Sequence, residues 1–152
     1  LANKSIPLLV KSFVDPSLPG TKIHECTVEN LPPLIVLKEN QCLISCKVTD
    51  YTFISEEQLS IIFSALLDLT VRINVMQNSA ISFSFCIGFR ESKVTRLIER
   101  LQRNFEVYYN TGLILITVKN YDRATSDKYR NLPGVLLEQS SRSTLQVLTK
   151  RI

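Results

Sequence analysis

Short stretches in which apolar and polar residues alternate recur along this chain. The clearest lies within residues 73–89, where the alternation is interrupted at residues 77–79 and then resumes. After the interruption every second residue is apolar, at Ile81, Phe83, Phe85 and Ile87. A period of two is typical of half-buried strands, and a polar interruption between two of them predicts a tight hairpin. The sequence therefore favours a framework of antiparallel strand pairs.

Two amphipathic helical segments flank this hairpin. The first is predicted to begin at Ser55, which forms a capping box with Gln58, while Glu56 and Glu57 suit the positive end of the helix dipole. Its apolar residues recur at helical spacing: Leu59, Ile62, Phe63, Leu66 and Leu69. The second helix is predicted to be capped at Ser92. Each helix therefore has one apolar face that can pack on a sheet.

The order of these elements predicts the fold class. With strands at residues 42–48 and 106–111, the first half of the chain has the order β-α-β-β-α-β. Residues 113–150 begin the same order of elements again but lack its last helix and last strand. Residues 34–40 are predicted to be a strand that belongs to neither half, and this strand could complete the second sheet. We therefore predict an α+β fold of two ferredoxin-like βαββαβ domains, each an antiparallel sheet with helices on one face.

Composition narrows the class of protein. The chain has 152 residues, of which 45% are hydrophobic, and its net charge of +4 comes from basic residues scattered over the predicted helix surfaces. No apolar run approaches the ~20 residues of a membrane-spanning helix. We therefore expect no nucleic-acid partner and no membrane partner. Because the chain begins with Leu, we expect a piece of a longer protein, and we expect no signal peptide.

The cysteines indicate a reducing compartment. Cys26, Cys42, Cys46 and Cys86 show neither a CxxC pair nor the spacing of a disulfide framework, and His24 is the single histidine. We therefore expect free thiols, no metal site, no cofactor and a cytoplasmic location.

Three stretches resemble the regulatory region of aspartate kinases, which carries paired ACT domains. Residues 6–23, IPLLVKSFVDPSLPGTKI, look like the last stretch of the kinase domain. Residues 71–85, VRINVMQNSAISFSF, are similar to the strand-turn-strand of the first ACT domain. Residues 136–148, LLEQSSRSTLQVL, resemble the end of the second one. The resemblance thus extends over nearly the whole chain.

The resemblance implies a domain organisation. Residues 1–32 would be the tail of the kinase domain and a linker, with one short strand. Residues 41–110 would form the first ACT domain. Residues 33–40 together with 111–152 would form the second.

The resemblance also implies an effector site in a homodimer. In such kinases the first ACT domain binds a feedback amino acid, lysine in many members and threonine in others, between the first helix of one copy and the hairpin corner of the other. The positions carried over are Ser55, Ile73, Asn74 and Ser79, and Asn78 adds hydrogen-bonding capacity at the same corner. The loop before the first helix would offer N–H groups to the carboxylate, and the corner would offer oxygens to the ammonium groups.

Two positions depart from the lysine-sensitive pattern. Asn74 stands where such members often have Asp, and Ala80 stands where they have Glu. A neutral amide cannot form an ion pair with an ammonium group, although it can accept a charged hydrogen bond. As a side chain of the hairpin corner, Asn74 is expected to contribute little to packing.

No catalytic residues are predicted. The chain has no Gly-rich phosphate loop and no nucleophile with a supporting base, so we expect this piece not to be an enzyme. Its parent would be an ATP-dependent kinase of aspartate, with the kinase domain of the same chain as a partner. Two alternatives remain: an ACT module that only mediates dimerisation, and an RNA-recognition motif of the same topology. The second would need aromatic residues facing outward, whereas Phe83 and Phe85 share the predicted core register.

Overall fold

The computed structural model describes residues 6–25, 31–49 and 52–150. The chain divides into two compact units, Leu1–Leu31 and Pro32–Ile152.

The first unit contains a two-stranded sheet. Strands β1 (Leu8–Val10) and β2 (Thr21–Ile23) pair antiparallel. Gly20, with a φ of 72°, precedes β2, and a Cβ atom there would lie 2.5 Å from the carbonyl oxygen of Val10. Only one strand was predicted in this part of the chain. The structure corrects this, because the turn after the prolines returns the chain alongside β1.

The second unit is built on one six-stranded antiparallel sheet with the strand order β4-β5-β3-β6-β8-β7. Its elements in chain order are β3 (Leu34–Lys47), α1 (Glu56–Asp68), β4 (Ile73–Asn78), β5 (Ser82–Gly88), α2 (Glu91–Leu101), β6 (Glu106–Lys119), α3 (Arg123–Arg130), β7 (Val135–Ser140) and β8 (Thr144–Thr149).

The two central strands run without interruption where the sequence predicted two shorter strands each. β3 joins residues 34–40 to residues 42–47, and its pairing with β6 shifts register between Lys38 and Gln41. Asn40 within β3 and Gly112 within β6 have positive φ angles of 52° and 67°. These two residues tolerate the left-handed region, so each strand bends and continues instead of ending.

The bends divide the sheet into two lobes of the same design. The first lobe contains β4, β5 and the parts of β3 and β6 nearest to them, with α1 and α2. The second lobe contains β7, β8 and the other parts of β3 and β6, with α3. In each lobe the order of strands along the sheet matches a ferredoxin-like arrangement. The predicted α+β, ACT-like fold is therefore confirmed, with its two sheets joined into one.

Apolar residues are buried on both faces of this sheet. In the first lobe, Ile44 and Phe85 lie under α1 and α2, and in the second lobe, Ile116 and Val147 pack with Tyr129 of α3. A third cluster occupies the opposite face and draws on both edge strands of the sheet: Leu43, Val75, Cys86, Leu113, Leu115, Leu137 and Leu148. The sheet therefore curls around this cluster and keeps its helices on the other face.

The helix ends follow local chemistry with one exception. Ser55 caps α1 in a capping box with Gln58, as predicted, and Asp122 caps α3 through the N–H of Thr125. α2 was predicted to be capped at Ser92, but the helix begins at Glu91. Its first turn thus includes Ser92, and Arg90 at the N-cap makes no side-chain capping bond.

Candidate functional site

The hairpin corner between β4 and β5 is closed by serine hydrogen bonds. The N–H of Ser79 donates to the carbonyl oxygen of Ser82 at 2.8 Å. The hydroxyl oxygen of Ser79 accepts from the N–H of Ser82 at 3.2 Å and lies 2.8 Å from the Ser82 hydroxyl. The backbone and the side chain of Ser79 therefore stabilise the turn of this hairpin.

The loop before α1 lies against the same corner. The N–H of Ile54 donates to the carbonyl oxygen of Ala80 at 2.9 Å, and the N–H of Val48 donates to that of Ile81 at 3.1 Å. Ile54 directly precedes the helix cap, so these bonds hold the N-terminus of α1 beside the corner. The structure thus brings Ser55 into the neighbourhood of Ser79, although the two residues are far apart in sequence.

The N-terminus of α1 presents backbone donors and acidic side chains together. The N–H of Gln58 donates to the Ser55 hydroxyl at 3.3 Å, and the first intrahelical bond joins the N–H of Leu59 to the Ser55 carbonyl. The N–H groups of Glu56 and Glu57 precede that bond and have no acceptor within the helix. Both glutamates are exposed. This helix end can therefore receive a carboxylate through its N–H groups and an ammonium group through its side chains.

Asn74 lies away from this corner, at the other end of β4. The sequence placed it in the hairpin corner, but β4 extends to Asn78, so about five residues at 3.3 Å each, or roughly 16 Å, separate Asn74 from Ser79. Its side-chain oxygen accepts from the ammonium group of Lys38 at 2.8 Å, and its amide donates to Gln41 at 2.7 Å. Asn74 is thus part of a structural hydrogen-bond network.

The remaining predicted residues divide between the two ends of β4. Ile73 is half-buried against the core of the first lobe, and Asn78 is exposed next to the corner. One chain therefore brings together Ser55, Asn78 and Ser79, and holds the other two predicted residues about one strand length away. Their role in binding an effector stays a prediction.

A cleft of about 420 Å³ that no sequence pattern predicted opens beside Asn74. Three cationic side chains line it, from Arg72, Arg90 and Lys93. The remaining lining residues are Thr70, Val71, Asn74, Ile87 and Gly88. Arg90 and Lys93 are neighbours at the start of α2, and the fold brings Arg72 of the turn between α1 and β4 beside them.

The described cysteines are buried thiols. Cys42, Cys46 and Cys86 are free, and burial raises their pKa values to about 11, 12 and 12. Such thiols stay protonated and unreactive near neutral pH. Cys26 lies outside the described residues. Within the described ranges, no cluster of His, Cys, Asp and Glu could hold a metal ion.

Two further features bear on possible partners. Phe83 and Phe85 are 4% and 0% exposed, so they are not available to stack on RNA bases. None of the described helices is both long and apolar enough to cross a membrane.

Comparison with known proteins identifies the fold. No protein-family model and no curated protein match the sequence. Among solved structures, a C-terminal regulatory domain of aspartate kinase from Porphyromonas gingivalis aligns over 78% of this chain and 86% of its own length, with a TM-score of 0.65 and 13% identity. The aspartate kinase of Clostridium acetobutylicum aligns over 97% of this chain, with a TM-score of 0.78 and 19% identity.

A third match carries ligands. Escherichia coli aspartokinase III, solved in complex with lysine and aspartate, aligns over 97% of this chain with a TM-score of 0.69 and 20% identity. The chain spans 36–38% of the length of these two whole kinases. At such identities the shared property is the fold, which agrees with the resemblance found in the sequence.

Proposed function

We propose that this chain is the regulatory region of an aspartate kinase and that its first lobe binds a free amino acid to mediate feedback inhibition. Lysine is the first candidate for this effector, and threonine is the second. One observation carries the proposal. In a fold shared with the regulatory domains of such kinases, the bond from Ile54 to Ala80 holds the N-terminus of α1 against a polar hairpin corner. That juxtaposition provides donors for a carboxylate and acceptors for an ammonium group in one place.

The chemistry of the site favours a zwitterionic ligand. The N–H groups of Glu56 and Glu57, at the positive end of the helix dipole, suit an α-carboxylate. The exposed side chain of Asn78 and the acidic side chains of the first turn suit ammonium groups. A neutral or purely anionic ligand would leave the acidic side chains uncompensated, so an amino acid with a basic side chain fits best.

A homodimer would complete the site. β4 is an edge strand of the sheet, and Met76, Gln77 and Asn78 within it are exposed. Edge strands offer unpaired backbone groups to a second strand, and a two-fold interface uses the same surface on both copies. If two β4 strands pair antiparallel about an axis beside Met76, Asn74 of one copy lies opposite Asn78 of the other. This pairing would reunite the residues that one chain holds at the two ends of β4.

In this proposal the two lobes bind an effector and catalyse no reaction. The parent protein would phosphorylate aspartate in a separate kinase domain, and the lobes described here would transmit effector binding to it. Because a ligand that binds only the folded state stabilises that state, lysine binding should be visible as a rise in melting temperature.

The test is titration with lysine, threonine and methionine. Calorimetry measures the binding, and thermal unfolding measures the change in melting temperature. We expect saturable binding of lysine that Ser55→Ala weakens, because this change removes the cap that shapes the helix N-terminus. Asp122→Ala is the matched control, since it removes the cap of α3 and should leave lysine binding unchanged. Binding of threonine alone would keep the site and reassign its effector.

The alternative is a module that only mediates dimerisation. It predicts a stable dimer whose melting temperature responds to none of the three amino acids. That result would contradict the effector site while leaving the dimer in place.

A further inference from the structure

Apart from Asn74, the residues that line the cleft are not used by the proposed amino-acid site. The cleft lies between the turn after α1, the end of β5 and the first turn of α2, and its volume of about 420 Å³ is within the range of small-molecule sites. Arg72 reaches it from the turn between α1 and β4, and Arg90 and Lys93 reach it from the N-cap and the first turn of α2. The effector site proposed above uses the opposite end of β4, so the two sites are distinct within one chain.

The described lining of this cleft carries positive charge and no acidic side chain. Among the described residues that line it, none is Asp or Glu. Within residues 6–25, 31–49 and 52–150, Arg72 and Arg90 form no ion pair. Lys38 adds a further cation nearby through its bond to Asn74. Cations held together without counter-charges repel one another, and an anion between them removes that repulsion.

The backbone around the cleft is fixed in an unusual conformation. Thr70 has a φ of 51°, which is uncommon for a β-branched residue. The N–H of Val71 donates to Leu66 and that of Thr70 donates to Leu67, so Thr70 occupies the position after the helix where glycine is usual.

Lys93 is held by this turn. Its ammonium group donates to the carbonyl oxygen of Thr70 at 2.9 Å. This bond fixes one cation of the cleft in place and ties the end of α1 to the start of α2. Residues kept in strained conformations cluster at binding sites, where the surrounding structure holds them.

We propose that this cleft binds a small anion with at least two negative charges, carried by phosphate groups or by a pair of carboxylates. Arg72 and Arg90 are the binding groups, because the guanidinium group forms paired hydrogen bonds with either oxyanion. Lys93 and the N-terminus of α2 contribute fixed positive charge beside them. The inference does not depend on amino-acid binding at the corner of the first lobe.

The test uses pyrophosphate and succinate as separate probes and acetate as a monovalent control, at constant ionic strength. We expect saturable binding of at least one divalent or higher-charge probe, and weaker binding of acetate. The double variant Arg72→Ala/Arg90→Ala should lose about tenfold or more in affinity, because two charged hydrogen-bonding groups are removed. Binding of one probe and not the other supports the site and identifies which oxyanion it takes.

The matched control is Arg123→Ala/Arg142→Ala, which removes the same charge from the second lobe. Arg72→Gln/Arg90→Gln serves as a second cleft variant if the alanine variant does not fold. The absence of saturable binding to the wild-type chain, or an equal loss in the control variant, would overturn the proposal. Lysine binding is measured separately on the same variants. A result that contradicts the anion site can therefore be distinguished from one that contradicts the amino-acid site.

Discussion

The side-chain amide of Asn74 donates a 2.7 Å hydrogen bond to the carboxamide oxygen of Gln41, which is 4% exposed. The amide of Gln41 in turn donates to the carbonyl oxygen of Glu39 at 2.8 Å. These bonds connect the start of β4 to β3 at its bend. Asn74 therefore supports the shape of the sheet, whether or not it also contacts an effector.

We expect Asn74→Ala to lower the free energy of unfolding by about 1–2 kcal/mol, because it removes a donor from a buried carboxamide oxygen. Among the described residues, the donor that then remains for that oxygen is the Cys86 thiol, at 3.5 Å. Denaturant unfolding measures the loss. Asn78→Ala, at the exposed end of the same strand, should change stability by a few tenths of a kcal/mol. Equal effects of the two variants would contradict the structural role of Asn74.

Asn74→Asp tests which end of the effector this residue meets. In the proposed dimer, the α-carboxylate occupies the N-terminus of α1, so Asn74 of the other copy faces the side-chain ammonium group of lysine. A carboxylate there should strengthen lysine binding by opposite-charge attraction. Norleucine, which lacks that ammonium group, should gain nothing in the same calorimetric titration. Weaker lysine binding would reverse the proposed orientation.

Met76→Asp tests the β4 interface. Met76 is 47% exposed and lies beside the proposed two-fold axis, so the variant would place two carboxylates close together across that axis. We expect the dimer to dissociate, as measured by light scattering over a range of concentrations. Leu136→Asp, on the opposite edge strand and 39% exposed, should leave the dimer intact. Dissociation by the Leu136 variant alone would place the interface on β7.

Thr70→Gly should stabilise the chain. A non-glycine residue in the left-handed region costs about 1–2 kcal/mol, and glycine removes this cost. Part of the gain is offset because glycine loses more backbone entropy on folding than threonine does. The net expectation is a rise of about 0.5–1 kcal/mol in the free energy of unfolding. Thr95→Gly, at an exposed position inside α2, should instead lower the free energy of unfolding by roughly 0.3–0.5 kcal/mol, because glycine has a lower helix propensity than threonine. A fall in stability for Thr70→Gly would show that its side chain has a stabilising contact.

The buried thiols predict how stability depends on alkaline pH. Burial raises the pKa of Cys42 to about 11 and those of Cys46 and Cys86 to about 12, against about 8.5 in an unfolded chain. The folded state therefore holds more protons above pH 8.5, and stability should fall as the pH rises from there towards 11. At pH 8, iodoacetamide should label these thiols only after unfolding. Rapid labelling of Cys42, Cys46 or Cys86 in the native chain, located by peptide mass spectrometry, would contradict their burial.

The features that sequence predicted well are those that short stretches determine. The capping box of Ser55 and Gln58 forms from residues three apart, and the alternation through Phe83 and Phe85 sets which face of β5 is buried. The ferredoxin-like order followed from such local patterns. The cap of α2 was missed, because a favourable capping residue at Ser92 does not determine where the backbone leaves β5.

The sequence by itself determined the order of the elements, the buried faces and the resemblance to aspartate kinase regulatory regions, since these depend on neighbours along the chain. Tertiary structure alone decided the surroundings of Asn74, whose two partners, Lys38 and Gln41, are 36 and 33 residues away. It also decided the cleft of Arg72, Arg90 and Lys93. The physical reason is that strand register and the bends at Asn40 and Gly112 place distant residues side by side, and no local pattern encodes that placement.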